Sequence, residues 1–129
     1  MKQIDEIISF LNLSDGCHCL DLGCGTGLVA EYISDQTGAK VYGVDYCPEA
    51  IDFASYHTKE KRSFLYFQEG NLDRLEFPDH SFDSIISIDT LYMPNDLVAT
   101  IQRMIDLLKT GGRMGIFYTH SLWGGGTRQ

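Results

Sequence analysis

The sequence predicts an α/β fold in which a mostly parallel sheet is covered by helices on both faces. Three observations carry this expectation. Stretches with apolar residues at helical spacing alternate with short runs rich in β-branched and aromatic residues along the whole chain. No internal repeat divides its 129 residues, and neither does a long linker, so one domain, residues 1–129, with one core is expected. Glycines and aspartates gather just after the predicted strands, where open α/β sheets bind ligands.

Each element has its own signal. Ile4, Ile7, Ile8 and Leu11 recur at three and four, predicting a helix over 2–12 that Ser14-Asp15-Gly16 breaks. CHCLDL at 17–22 is a short buried strand running into a glycine loop. A helix over 27–37 follows through Leu28, Val29, Tyr32 and Ile33, with Gly38 as its stop. Lys40–Asp45 alternates as a second strand. Pro48 suits a first helical turn and opens 48–60. Ser63–Gln68 is an aromatic strand whose Phe64, Tyr66 and Phe67 alternate between core and surface. Phe82–Asp89 is a fourth strand. Asn95 is positioned to cap a helix over 96–108, which Gly111-Gly112 ends. Arg113–Thr119 is a fifth strand, and residues 120–129 lack periodicity and are expected to fray.

Composition narrows the function. Hydrophobic residues make up 43% and charged residues 22%, as in globular domains. Ten Lys and Arg face 18 Asp and Glu, a formal net charge of -8. Such a chain is ill suited to neutralising phosphates, which argues against nucleic acid, and it is repelled by anionic membranes. No apolar run approaches the roughly 20 residues of a bilayer span. Asp5 and Glu6 interrupt what a signal peptide would keep apolar, so a cytoplasmic protein is expected. The cysteines at 17, 19, 24 and 47 lack a second C-x-x-C pair. They are therefore read as reduced side chains rather than zinc ligands, with Cys17 and Cys19 sharing a strand face. Cys24 and Cys47 have no evident base beside them and read as inert.

The chemistry-bearing constellation lies at two strand ends. Asp21-Leu22-Gly23-Cys24-Gly25-Thr26-Gly27 has three alternate glycines, which strip Cβ atoms from one edge of a turn and let a ligand press against backbone. The next helix points its free N–H groups there. Asp45, eighteen residues past Gly27, can accept from both hydroxyls of a ribose. The spacing is G-x-G-x-G rather than the G-x-G-x-x-G of dinucleotide sites. Asp21 beside the loop would repel a pyrophosphate and suit an ammonium group, which S-adenosylmethionine carries together with a ribose. Asp21 is equally suited to bonding loop amides.

CLDLGCGTGLVAEYI resembles the first motif of the class I methyltransferase family, and VYGVDYCPEAIDFA its second-strand motif. EGNLDRLEFPDHSFDSIISIDTLYM is similar to the family's adenine-lining segment and fourth strand, and LLKTGGRMGIFYTH to its turn into the fifth. The match spans about residues 17–120. It implies a Rossmann-like three-layer sandwich that binds S-adenosylmethionine and methylates a small molecule. It implies that Gly23, Cys24, Gly25 and Gly27 form the loop against the methionine and adenosine parts. Asp21 helps hold that loop or meets the ammonium, Asp45 takes the ribose, and Tyr46 flanks the adenine. Asn71 and Leu72 stand where the family has an acid and an apolar residue; the uncharged Asn71 carbonyl would accept more weakly from the adenine amino group. Asp89 lies near the reacting end. No metal and no dedicated catalytic residue is implied, because a sulfonium methyl is already activated and needs mainly alignment.

The resemblance also implies a further helix and an antiparallel strand pair beyond the fifth strand. Their absence leads to the expectation of a shortened form that binds cofactor, with the fifth strand an exposed edge able to pair with a second copy. Tyr92 and Met93 are candidates to roof the substrate, and His120 to accept a proton. His57 and His80 read as solvated. A non-catalytic cofactor-binding or interaction module remains an alternative, as does a nicotinamide-dependent oxidoreductase.

Overall fold

A computed structural model describes residues 2–91 and 94–118. The expectations for Tyr92, Met93, His120 and residues 120–129 lie outside the described residues. The elements are α1 (Lys2–Leu11), β1 (His18–Leu22), α2 (Leu28–Thr37), β2 (Lys40–Asp45), α3 (Pro48–His57), a short 3-10 turn (Lys59–Lys61), β3 (Leu65–Glu69), β4 (Phe82–Ile88), α4 (Leu97–Leu107) and β5 (Leu108–Phe117).

The described strands form one sheet in the order β3-β2-β1-β4-β5, and every neighbouring pair is parallel. The chain winds outward from β1 through β2 to β3, then returns to place β4 on the other flank of β1. That reversal opens a crevice beyond the carboxyl ends of β1 and β4. Leu22 pairs with Val44 of β2 and with Ser87 of β4, so the loop after β1 emerges between two neighbours.

Both sheet faces are packed, which is why β1 reads as a continuous apolar run. On one face Leu20, Leu22, Val44, Phe82 and Ile85 meet Met104 and Leu107 of α4 and Leu75 of the β3–β4 loop. On the other, Cys19, Val41, Leu65 and Ile86 meet Ile7 and Leu11 of α1 and Ala30 and Ile33 of α2. Arg103 of α4 pins the loop below it, donating to the carbonyls of Leu75 and Phe77 and pairing with Asp79.

Several boundaries move for identifiable reasons. β1 begins at His18, and Cys17 instead closes a turn by donating its N–H to the Ser14 carbonyl at 3.1 Å. Gly27 is the N-cap of α2 rather than its first residue. α3 stops at His57, where the Thr58 hydroxyl donates to the Ala54 carbonyl at 2.7 Å and the chain tightens into the 3-10 turn. β3 starts two residues later and ends one later than expected because Phe64 closes that turn, its N–H bonded to the Lys61 carbonyl. Asp96, not Asn95, caps α4, its carboxylate accepting from Ala99 N–H at 3.1 Å. Gly111-Gly112 does not stop that helix. Leu108 already pairs with Phe82, and the ladder resumes at Ser84 with Arg113. The intervening residues bulge, with Gly111 at φ +82°.

Two adjacent residues of α4 separate burial from propensity. Met104 is fully buried whereas Ile105 is 48% exposed. Met104→Ala should cost about 2–5 kcal/mol in urea unfolding, and Ile105→Ala under about 0.5 kcal/mol.

Candidate functional site

The turn after β1 is built by hydrogen bonds to the end of β2. The N–H groups of Gly23 and Cys24 both donate to the Val44 carbonyl, at 2.7 and 3.1 Å. Gly25 N–H donates to Asp45 Oδ2 at 2.8 Å, and Cys47 N–H to Asp45 Oδ1 at 3.0 Å. Asp45 therefore ties both turns together, the loop-holding role that the sequence reading also offered to Asp21. No described group donates to Asp21 Oδ2, which is buried and unpartnered. Each Asp45 oxygen keeps lone-pair capacity for a further donor.

The three loop glycines have different physical reasons. All adopt left-handed φ, +72° at Gly23, +56° at Gly25 and +84° at Gly27. A Cβ on Gly23 would lie 2.3 Å from Thr90 Oγ1, and one on Gly27 would lie 2.8 Å from Phe67 Cζ. A Cβ on Gly25 would meet nothing within 4 Å. Only Gly25 thus presents bare backbone to open space; Gly23 and Gly27 are glycines because the fold packs against them. This corrects the expectation that all three clear one ligand-facing edge.

The charge pattern is acidic. Asp21 is 3% exposed. Burial, and then the neighbouring Asp45 charge, push its carboxyl up to about 7. The Cys24 thiol is raised by burial and by both aspartates, so it is not a nucleophile. Burial raises Cys19 to about 12. Among the described residues the cysteines are unpaired, and no three His, Cys, Asp or Glu side chains are placed to hold a metal.

Beside the crevice lies a cavity of about 650 Å³ lined by Tyr46, Glu69, Asn71, Leu72, Asp73 and Asn95, among others. Its volume falls within the usual range for small-molecule sites. The sequence-predicted residues thus divide into two neighbouring parts. Tyr46, Asn71 and Leu72 share this cavity, whereas the glycine loop and Asp21 do not line it. Tyr46, 63% exposed, joins the two parts by following Asp45 directly. Asn71 Oδ1 accepts from Asp73 N–H at 2.8 Å. A local turn therefore takes one lone pair of the carbonyl assigned to a ligand, leaving its second lone pair and the two N–H donors. Asp89 follows β4 directly, at φ +54°, its N–H held by the Phe117 carbonyl at 2.8 Å. Parallel register carries it past Ser87, to the same end of the sheet as the glycine loop.

Four positions have roles that the sequence did not reveal. Thr90 Oγ1 lies 2.9 Å from the Ile88 carbonyl and 3.2 Å from that of Leu22, wedging β4 against Gly23. The Asp73 carboxylate accepts from the N–H groups of Asn95 and Asp96, tying the cavity wall to the entry of α4. His57 and His80 are not simply solvated. His57 Nε2 lies 2.7 Å from the Thr26 carbonyl, and His80 Nδ1 lies 2.9 Å from that of Leu108. Only Thr90, next to the aspartate ending a strand, had a local signal; the others depend on tertiary placement.

Two stability measurements check this geometry. Gly27→Ala should destabilise by at least about 2 kcal/mol, since strain and overpacking add, and Gly25→Ala by only about 1 kcal/mol, from backbone strain alone. Asp21, raised from 3.8 to about 7, binds an extra proton in the fold between those values. Stability should therefore fall as pH rises from about 4 to 7, by at most about 4 kcal/mol. Urea midpoints for Asp21→Asn should lack that slope.

Comparison with known proteins follows the same region. A family model described as a methyltransferase domain matches residues 20–116. The chain is 32% identical over 114 residues to phosphoethanolamine N-methyltransferase 3 of Arabidopsis thaliana, covering 88% of this chain and 23% of that protein. It is 33% identical over 114 residues to squalene methyltransferase 1 of Botryococcus braunii, covering 87% of this chain and 30% of that protein. The crystal structure of the YcgJ protein from Bacillus subtilis superposes with a TM-score of 0.79 at 28% identity, covering 88% of this chain and 48% of that one. The chain thus spans under a third of the length of the two methyltransferases and about half of the YcgJ chain.

Proposed function

The chain belongs to the methyltransferase domain family, and we propose that it binds S-adenosylmethionine at the β1–β2 crevice and serves methyl transfer to a small-molecule acceptor. The carrying observation is the open space at Gly25 beside Asp45, reached by backbone alone and bordered by a carboxylate with capacity to spare. The unpartnered, buried Asp21 Oδ2 fits the same ligand, because an ammonium or sulfonium nearby supplies the positive charge this pocket lacks. The cofactor's contribution, when bound, is a methyl group on a positively charged sulfur.

In this reading Gly25 presents bare backbone to the methionine and adenosine parts, and Gly23, Cys24 and Gly27 hold the turn in that shape. Asp45 accepts the ribose hydroxyls while still holding Gly25. Asp21 offsets the cationic end, and Tyr46 covers one face of the base. Asn71 accepts from the base amino group through the second lone pair of its carbonyl, and Leu72 packs beside the base. Asp89 stands at the reacting end, where the chain's task is alignment and exclusion of water. The resemblance to methyltransferases of phosphoethanolamine and of squalene supports a small-molecule acceptor. The net charge of -8 argues against nucleic acid.

No helix among the described residues is long and apolar enough to cross a membrane. We place the protein in the cytoplasm, whose reducing conditions suit its unpaired cysteines. β5 has no partner on its outer side among the described residues, which makes it the edge for pairing with a second copy. A sedimentation coefficient that stays monomeric across concentration would remove that assignment.

Calorimetry with S-adenosylhomocysteine should show one site, and Asp45→Ala should weaken it at least about tenfold by removing a charged acceptor. Binding of NAD in its place would sink the assignment. Transfer of labelled methyl to a cell extract separates an active enzyme from a binding module, which would bind without transfer.

A further inference from the structure

We infer that His57 is a positioning residue for cofactor binding: it locks the glycine loop by donating from Nε2 to the Thr26 carbonyl. The inference rests on the cofactor reading above and extends it to a residue that reading does not assign to the ligand.

The loop from Gly23 to Gly27 needs holding. Its three glycines have the widest conformational freedom of any residue, and ordering them costs entropy that a binding site must recover elsewhere. Its base is secured at Val44, and its middle at Asp45, through Gly25 N–H. Gly27 N–H turns back to the Cys24 carbonyl at 3.0 Å. Thr26, exposed at the tip, reaches none of these anchors. Its carbonyl is held instead from α3, by His57 Nε2 at 2.7 Å. A carbonyl can only accept, so Nε2 carries the proton. This bond holds the carbonyl side of the Thr26–Gly27 peptide, whose N–H side the Cys24 carbonyl holds, so the plane is anchored at both ends between two left-handed glycines.

His57 is itself braced. It ends α3, where its ring lies 5.2 Å from that of Phe53. Its Nδ1 lies 3.6 Å from Glu31 Oε1 in the first turn of α2, and Glu31 is paired with Lys61 at 2.8 Å. The imidazole thus joins the end of one helix, the start of the next and the loop between β1 and α2. With 22% of its side chain exposed, the ring is partly shielded, which strengthens a single hydrogen bond. Pre-ordering a loop in its bound shape raises affinity without adding a ligand contact.

The test compares His57→Phe, which keeps a ring against Phe53 but has no donor, with His57→Gln, whose amide nitrogen can occupy the place of Nε2. S-adenosylhomocysteine affinity is measured by calorimetry, and amide exchange at Gly25 and Gly27 by NMR in the unliganded protein. His57→Phe should bind about three- to tenfold more weakly and exchange faster at both glycines by a similar factor. His57→Gln should recover most of both, and exchange at Leu20 and Leu22 should not move in either variant. If His57→Phe does not fold, His57→Met makes the same comparison. Affinity and loop exchange within twofold of the native protein in the donor-free variant would overturn the inference. So would equal impairment in His57→Gln, which would assign the effect to ring packing. If the native protein does not bind the probe, the cofactor reading falls, and loop exchange alone decides whether His57 holds the turn.

Discussion

Asp45 is the constraint through which the site is assembled. Its position at the end of β2 is fixed by parallel pairing with β1 and β3, and its two oxygens receive Gly25 N–H from the first turn and Cys47 N–H from the second. One carboxylate therefore sets the distance between the loop that leaves β1 and the segment that starts α3. Remove it, and the open space beside Gly25 loses the carboxylate that borders it and the loop loses the side chain that holds Gly25 N–H. The acid that grips a sugar in the proposed function is also a structural part, which is why its spacing from the glycines is legible in the sequence at all.

The glycines illustrate how one pattern can have several causes. Alternate glycines suggest a single bare edge, yet the space beside each differs. Gly23 yields to the Thr90 side chain just past β4, Gly27 to Phe67 and Ala54, and Gly25 alone to the crevice. Close packing on both sides holds the loop upright so that its one unobstructed residue is presented outward. Gly43 serves the same end from β2, since a Cβ there would lie 2.8 Å from Cys24 Sγ. The crevice is thus bounded by contacts from three strands, not by the loop sequence alone.

The parallel α/β architecture and the strand ends were legible because they follow from short-range periodicity and from where aspartate and glycine fall. Lys40–Asp45 is a strand with the limits its alternation indicates, and Gly38 stops α2 in a left-handed cap bonded to Ser34. Less legible was anything set by partners distant in sequence. Gly111-Gly112 resembles a helix stop, but pairing of Leu108 with Phe82 extends the strand across it. Asn95 and Asp96 are both plausible caps locally; Asp73 takes the N–H groups of both, and the Asp96 carboxylate is the one that reaches Ala99. His57 was misjudged for the same reason, because its carbonyl partner lies 31 positions away.

Asp21 shows how the site's electrostatics and its stability are linked. A buried carboxyl with an oxygen lacking any donor is unfavourable, and a second carboxylate nearby makes ionisation harder still. Protonation relieves this in the empty fold. A ligand carrying positive charge into the crevice relieves it in the opposite sense, by stabilising the ionised form. Binding such a ligand near neutral pH would therefore expel a proton from Asp21, and part of the binding free energy would be spent on that ionisation. The strain tolerated by the unliganded fold becomes selectivity, because an anionic ligand such as a pyrophosphate would meet the same two carboxylates without any relief.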